Sequence, residues 1–456
     1  MRPAADKLGM HLRWLCALLA TGALACSVND GVLGGLWRGE GVDDGGSTTG
    51  VCGLTSPLVK AQDQATCTGR LAAMRFTNAL CSCGNLQMAD HLTTRGFDSS
   101  QGAYQVGQSD DGGASVGVNG SYSSLVGTAD VGGSLSVAGT AELQLGGMLQ
   151  VRGDFYAAGN VSAAGTATVS RNAWLGGDFV GSGPLTVTGD LHHAGSVVAR
   201  PLAAATNQRQ TVVIAQPCPC QASDLIDVGA LVDAAKLEND NDSLRVSSNV
   251  FASIIGPAQW TLPCGRAYLS QIGGTGSLVV HVTGIAALFV DGSIDFTGAL
   301  SFDLAPGAEI DVFVKQDLLV RGPLSLASKD RPAAGRIWVG GTQVSALPSP
   351  WIGNLYAPRA HVGAMVGLEV WGSIFAGDFS VGTYASFVFD RAVLGAGANC
   401  SAPRPPAGLC TKCQWCSGGN ACMSGTCGAC RDDSDCCSLS VCANGSCVPL
   451  IELPGA

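Results

Sequence analysis

The sequence predicts a mainly β protein built as parallel β-solenoid stacks, with a short N-terminal helix, a helical insert and a small disulfide-rich C-terminal module. Three observations carry this. Glycine supplies 64 of the 456 residues and charged residues only 13 %, against roughly 25 % in an average soluble domain, so the chain is rich in small residues and turns. Short alternating apolar runs broken by glycine recur from about Ser115 to Arg200 and return after Ser243 as far as about Leu394. A stretch with helical period separates the two sets.

The elements follow in order. Residues 1–25 read as a signal peptide: a basic leader with Arg2, Lys7 and Arg13 runs into LRWLCALLATGALAC, which is too short to span a bilayer. Cys26, directly after the small residues Ala23 and Ala25, resembles the lipobox of bacterial lipoproteins. There the thiol is diacylated, the leader is cut before it and the new amino group is acylated. Each buried methylene contributes roughly 0.8 kcal/mol, so several chains on one residue make a lasting anchor. Ala23 stands where such motifs more often carry Leu, and ordinary secretion with Cys26 in a disulfide is the alternative. Ser27 replaces the Asp of the inner-membrane retention signal, which favours the outer membrane.

Residues 26–55 are rich in Gly and Asp without apolar period and suit a flexible tether. Segment 56–110 is expected to be helical from about Ser56 to Leu80, with Cys67, Leu71, Met74 and Leu80 on one side, and stapled by its cysteines. Residues 111–200 carry the solenoid unit in VGGSLSVAG, LQVRGDFYAAG, WLGGDFVGSG and LTVTGDLHHAG, with Gly133, Gly153, Gly177 and Gly189 read as one position in four copies. An irregular glycine-rich sandwich is the competing architecture. The insert, 201–245, has helical period through Leu225, Ile226, Val228, Leu231, Val232 and Leu237, and is expected to cap or separate two β stacks. A second solenoid domain spans 246–400, a Pro-rich linker 401–409, and a Cys-rich module 410–456. Mean hydropathy is +0.27, but the most apolar internal stretch, SLVVHVTGIAALFV, is interrupted by Gly284 and reads as two buried strands.

Twenty cysteines fit an exported chain in an oxidising compartment. Cys16 leaves with the leader and Cys26 takes lipid; the other eighteen are disulfide candidates in even groups. These are Cys52, Cys67, Cys81 and Cys83; then Cys218, Cys220, Cys264 and Cys400; then Cys410, Cys413, Cys416, Cys422, Cys427, Cys430, Cys436, Cys437, Cys442 and Cys447. The last ten lie in a stretch with too few apolar residues for a core, so disulfides must hold it. Their CxxC spacing matches zinc ligands, yet no histidine lies among them and disulfides are expected. Residues two apart, as in CSC at Cys81 and CPC at Cys218, strain a shared bond, so each is expected to find a distant partner.

No metal, cofactor or catalytic group is expected. ENDNDS, from Glu238 to Ser243, offers oxygen ligands for calcium but lacks the glycine and distal glutamate of an EF-hand loop, so a solvated helix end is expected. Asp110 and Asp111 read as a turn. The charged rung residues Arg152, Asp154, Asp178, Asp190, His192, Asp291, Asp295, Lys315 and Arg321 are sparse, and an Asp that recurs after the rung glycine is turn chemistry. Hydrolase, metalloprotease and phosphate-loop motifs are missing. A formal charge of −10 without a Lys/Arg cluster argues against nucleic acid.

The lipobox, RLAAMRFTNALCSC, ASVGVNGSYSSLVGTADVGGSL, GRAYLSQIGGTGSLVVHVTGIAALFVDGSI, GNLYAPRAHV and GSIFAGDF together resemble a family of uncharacterised myxobacterial-type lipoproteins. That resemblance implies a β-solenoid domain of unknown function, in some members followed by a Cys-rich tail with DSDCC, and an exported envelope protein; it carries over no catalytic residue. The expectation is an outer-membrane lipoprotein, held to the membrane by its lipid and serving a structural or adhesive role toward glycans or proteins. Trp174, Trp351 and Trp371 are candidates to stack on sugar rings or to pack in the core. Two other classes compete. A polysaccharide-processing enzyme would show at least two carboxylates with Arg or Lys in one groove, and a self-associating periplasmic scaffold would expose uncapped apolar terminal rungs.

Overall fold

The computed structural model describes residues 57–397, apart from 62–63, 108–111 and 125–126, together with short pieces of 421–449. The leader, Cys26, the tether, the Asp110/Asp111 turn, the Pro-rich linker and Cys52, Cys400, Cys410, Cys413, Cys416 and Cys437 lie outside the described residues.

In the first stack, up to its last turns, each face of a turn is a three-residue strand. Its first and third side chains are buried and the middle one points outward, as in Leu143–Leu145, Leu149–Val151 and Phe155–Ala157. An inward residue therefore recurs every six positions: Leu143, Leu149, Phe155, Val161, Ala167, Ala173, Phe179, Leu185 and Leu191. Three such strands complete a turn, so Val161 pairs in parallel with Phe179, Ala167 with Leu185 and Ala173 with Leu191. This corrects the glycine register expected from sequence. Gly133, Gly153 and Gly189 share one corner, where Gly153 and Gly189 donate to the carbonyls of Gly133 and Arg171. Gly177 occupies another corner, over Asn160. Corners bring successive backbones together: a Cβ on Gly183 would lie 2.7 Å from the Gly165 carbonyl oxygen.

The second stack uses longer strands, and the apolar stretch ending at Val290 forms two of them, Ser277–Val282 and Ile285–Val290. Among the described residues no helix is long and apolar enough to cross a membrane. The two stacks are one parallel solenoid of about 14 turns, and chain order is not spatial order. Along one face the strands run Gly265–Leu269, Ile285–Val290, Glu309–Val314, Gly335–Val339, Trp351–Ala364 and Leu368–Val381. Leu80–Ser82 pairs next with Leu368–Val381, and the face continues through Val116–Val118, Leu135–Val137, Phe155–Ala157, Ala173–Leu175, Asp190–His193 and Thr206–Arg209. Strands Leu86–Met88 and Leu92–Phe97 make the same junction on the other two faces.

Two helix expectations change accordingly. The segment expected to be one helix from Ser56 to Leu80 is a hairpin, Leu58–Ala61 with Gln64–Cys67, followed by a helix of eight residues, Thr68–Arg75. Leu71 is buried, but Met74 is 46 % exposed and Leu80 already belongs to the junction turn. Within 201–245 the longer helix is Val228–Leu237, followed by the single turn Asn241–Leu244. It neither caps nor separates two stacks but lies against the outer face of the second, near Gly265–Leu269, Ile285–Val290 and Glu309–Val314. Val228, Leu231 and Val232 point into that contact, whereas Leu237 is exposed. Strands Leu202–Ala203 and Thr206–Arg209, placed in the insert by sequence, are the last rungs of the first stack.

Candidate functional site

The outward middle positions of one face form a single column through the molecule, and what covers it changes along its length. In the second stack it is aromatic: Phe289 and Phe313 lie 5.0 Å apart, Phe313 and Trp338 5.6 Å, Trp338 and Tyr356 5.3 Å, Tyr356 and Phe375 5.0 Å. Phe76, just after the first helix, packs 5.1 Å from Trp338, and the Tyr356 hydroxyl accepts from the Ile226 amide at 2.9 Å. The column is thus roofed by the first helix and the insert. Beyond the junction it becomes Cys81, Gly117, Ser136, Tyr156, Trp174, His192 and Gln208. Tyr156 stacks on Trp174 at 4.6 Å and Trp174 on His192 at 5.7 Å.

At the junction the chain returning from the first stack is clamped onto this column. Disulfides Cys81–Cys218 and Cys83–Cys220 run side by side, each closing 137 residues. Pairing therefore crosses the two cysteine groups read from sequence, because the junction turn lies beneath the returning chain. Asn119 bonds both backbone groups of Cys218, at 2.9 and 3.0 Å. Gly117 admits the clamp, since a Cβ there would meet the Cys218 sulfur at 3.0 Å and Pro217 at 3.1 Å. Cys67, Cys264, Cys427 and Cys436 are also disulfide-bonded, and Cys430 pairs with Cys442. Cys430, Cys436 and Cys442 lie close enough to hold a metal, but the bond between the first and last commits their thiols.

The charged rung residues fall into separate groups. Asp154, Asp178 and Asp190 sit at corners. Ser134 bonds the Asp154 amide, Asp154 that of Asn172, and Asn172 that of Asp190, while Asp178 accepts from the Ser196 amide. That amide, with the Ser196 hydroxyl, holds the Asp178 carboxyl below its usual range. Partial burial opposes ionisation of Asp130, but Arg95 and Arg152 overcome it and lower its pKa. Asp291 and Lys315 meet Lys236, Asp233 and Tyr268 in one network that pins the insert helix to the sheet. Lys236, aided by Lys315 and the Tyr268 hydroxyl, brings the Asp291 pKa down to about 2 against a smaller penalty from burial. Asp295 pairs with Arg321 at 2.9 Å. ENDNDS is not a solvated end: Asp240 accepts from the Arg266 amide at 2.7 Å, and Asn241 bonds both backbone groups of Tyr268 at 2.7 and 2.8 Å.

Sequence reasoning missed a buried cluster beside this face. Arg336 is fully buried, bidentate to Asp311 at 2.8 and 2.9 Å and bonded to Glu309 at 2.7 Å; Trp338 Nε1 also donates to Asp311. Burial opposes its charge, yet Asp311 and Glu309 hold its pKa above the ordinary arginine value. A cavity of about 300 Å³ lined by Glu309, Arg331, Arg336 and Ser99 opens there. Of the acids in this cluster only Glu309 lines the hollow; Asp311 is taken up by Arg336 and Trp338, and the nearby Asp390 accepts from the Ser99, Ala333 and Ala392 amides. The signal was an Asp and an Arg at matching places in the apolar runs EIDVFV and GRIWV.

The three tryptophans are all engaged. Trp351 is in the core, Trp174 is sandwiched in the ladder, and Trp371 has Lys329 over its ring and Tyr104 at its edge.

Residues 221–395 match a family described as a domain of unknown function, DUF7305. The match begins just after Cys220 and takes in the insert helix and the second stack up to its last turn, leaving the junction turn and the first stack outside. No curated protein matches the chain.

Proposed function

We propose that the chain is an exported, lipid-anchored envelope protein whose solenoid serves a structural or adhesive role at the cell surface, and that it is not an enzyme. A β-solenoid with disulfides fits a structural envelope protein, and the paired clamp Cys81–Cys218 and Cys83–Cys220 carries the reading. Two side-by-side bonds across the same long loop belong to a chain that folds where thiols oxidise. The leader and Cys26 supply the route and the membrane partner. The recurrent rung aspartates hold corners, which supports a non-catalytic role. Contacts with glycans or proteins fall on outward positions such as the exposed Gln144 and Thr186, where many weak contacts add along a repeating face.

The test compares cells making tagged wild type or Cys26→Ala, treated with external protease and labelled with palmitate. Label and cleavage in wild type, with label and cell association lost in the variant, are expected. Label with full protection from protease would place the protein in the periplasm and overturn the surface role; no label would overturn the anchor.

A further inference from the structure

The two ends of the solenoid are finished differently. At the second stack's free end the chain covers two of its three edges. Asp240 and Asn241 occupy the open side of Gly265–Leu269. On the adjoining face Ser270, Gly273 and Ile254 exchange backbone bonds with 248–254 and 273. The third face stays open, since Pro257–Leu262 pairs only with Ser277–Val282 and Pro257 removes a single N–H from that edge. At the other end Val197–Val198, Leu202–Ala203 and Thr206–Arg209 each pair only with the turn below, among the described residues. Thr206–Arg209 is exposed at every position, Val198 is 51 % exposed, and the inward Val197 and Leu202 are only partly covered. The chain leaves this end along the side of the stack toward Cys218, not across the top.

We propose that this open end is a docking surface for the same end of a second copy. An edge of unpaired backbone N–H and C=O groups is a template for another strand edge. Because only one of the three edges is open at the opposite end, the described end that matches all three edges here is the same end of another copy. Two copies then meet about a two-fold axis, with terminal strands antiparallel and their leftover donors and acceptors facing one another, and growth stops at two. The end carries both signs, Arg200 and Arg209 against Asp178 and Asp190 one turn below, so no single-sign field opposes the approach. With sides of about 20 Å of backbone plus flanking side chains, it presents on the order of 500 Å² per copy, near the total of about 1,000 Å² that specific association needs. The inference is independent of the envelope reading.

Sedimentation of the exported chain carrying Cys26→Ala, so that lipid plays no part, tests it. A dimer at micromolar concentration is expected. Val198→Lys should weaken it at least tenfold, and Ile255→Lys, 83 % exposed in wild type at the opposite end, should leave it unchanged. A photo-crosslinker at position 203 should join that turn to the same turn of a second copy. A monomer at 100 micromolar, a dimer indifferent to Val198→Lys, or crosslinks only to other parts of the chain would overturn the proposal.

Discussion

Arg336 shows what one residue contributes. Its guanidinium is out of water, and the free energy lost by dehydration returns only because Asp311 and Glu309 fill its donor fork. Arg336→Met is expected to destabilise the fold by about 3–5 kcal/mol, because it strands the Asp311 carboxylate. Arg336→Met with Asp311→Leu should recover most of this; the shortfall reflects the Trp338 N–H left without its acceptor, which costs about 1–3 kcal/mol. Urea midpoints of the three proteins decide it, and a double variant no better than the single would show that packing, not charge, sets the loss. The corner residues are the opposite case. Asp154, Asp178 and Asp190 were legible as turn chemistry because they recur, whereas Arg336 and Asp311 occur once and lie far apart in sequence.

At the scale of elements, the strands were legible and their register was not. Alternation along LQVRGDFYAAG marks which side chains face inward, but glycine spacing misled: glycine is needed wherever successive corners approach, and a turn has three corners. The six-residue recurrence of the inward position was the available signal. Helix Thr68–Arg75 was overestimated because the apolar spacing around it also serves a hairpin and a rung. The returning segment carries the second element-scale test. In the chain-entropy account each bond closing so long a loop contributes about 4–5 kcal/mol when alone, and much less once its neighbour is formed. Cys218→Ser with Cys220→Ser should therefore raise hydrogen exchange and proteolysis across 210–226 while 143–191 stays protected. Equal loss of protection in both regions would mean that the clamp is part of the stack's own stability.

For the whole molecule, the stack and its strap set each other's length. From Gln208 to Gly117 the column climbs five strand spacings, about 24 Å, and the eight residues from Gln210 to Cys218 reach at most about 27–29 Å. Deleting one full turn, residues 161–178, should be tolerated, since it preserves register and slackens the strap. Duplicating those residues should leave Cys218 unable to reach Cys81; mass spectrometry of the oxidised proteins checks both. By itself the sequence determined the fold class, the two runs of rungs, the helical character of the insert and the need for distant cysteine partners, because each rests on local period or local strain. Only the tertiary structure decided that the last turn of the second stack meets the first, that pairing crosses the cysteine groups and that one end is covered on two faces while the other is open on all three. Those facts depend on which edge meets which, and edge complementarity is the same at every rung, so no local pattern records it.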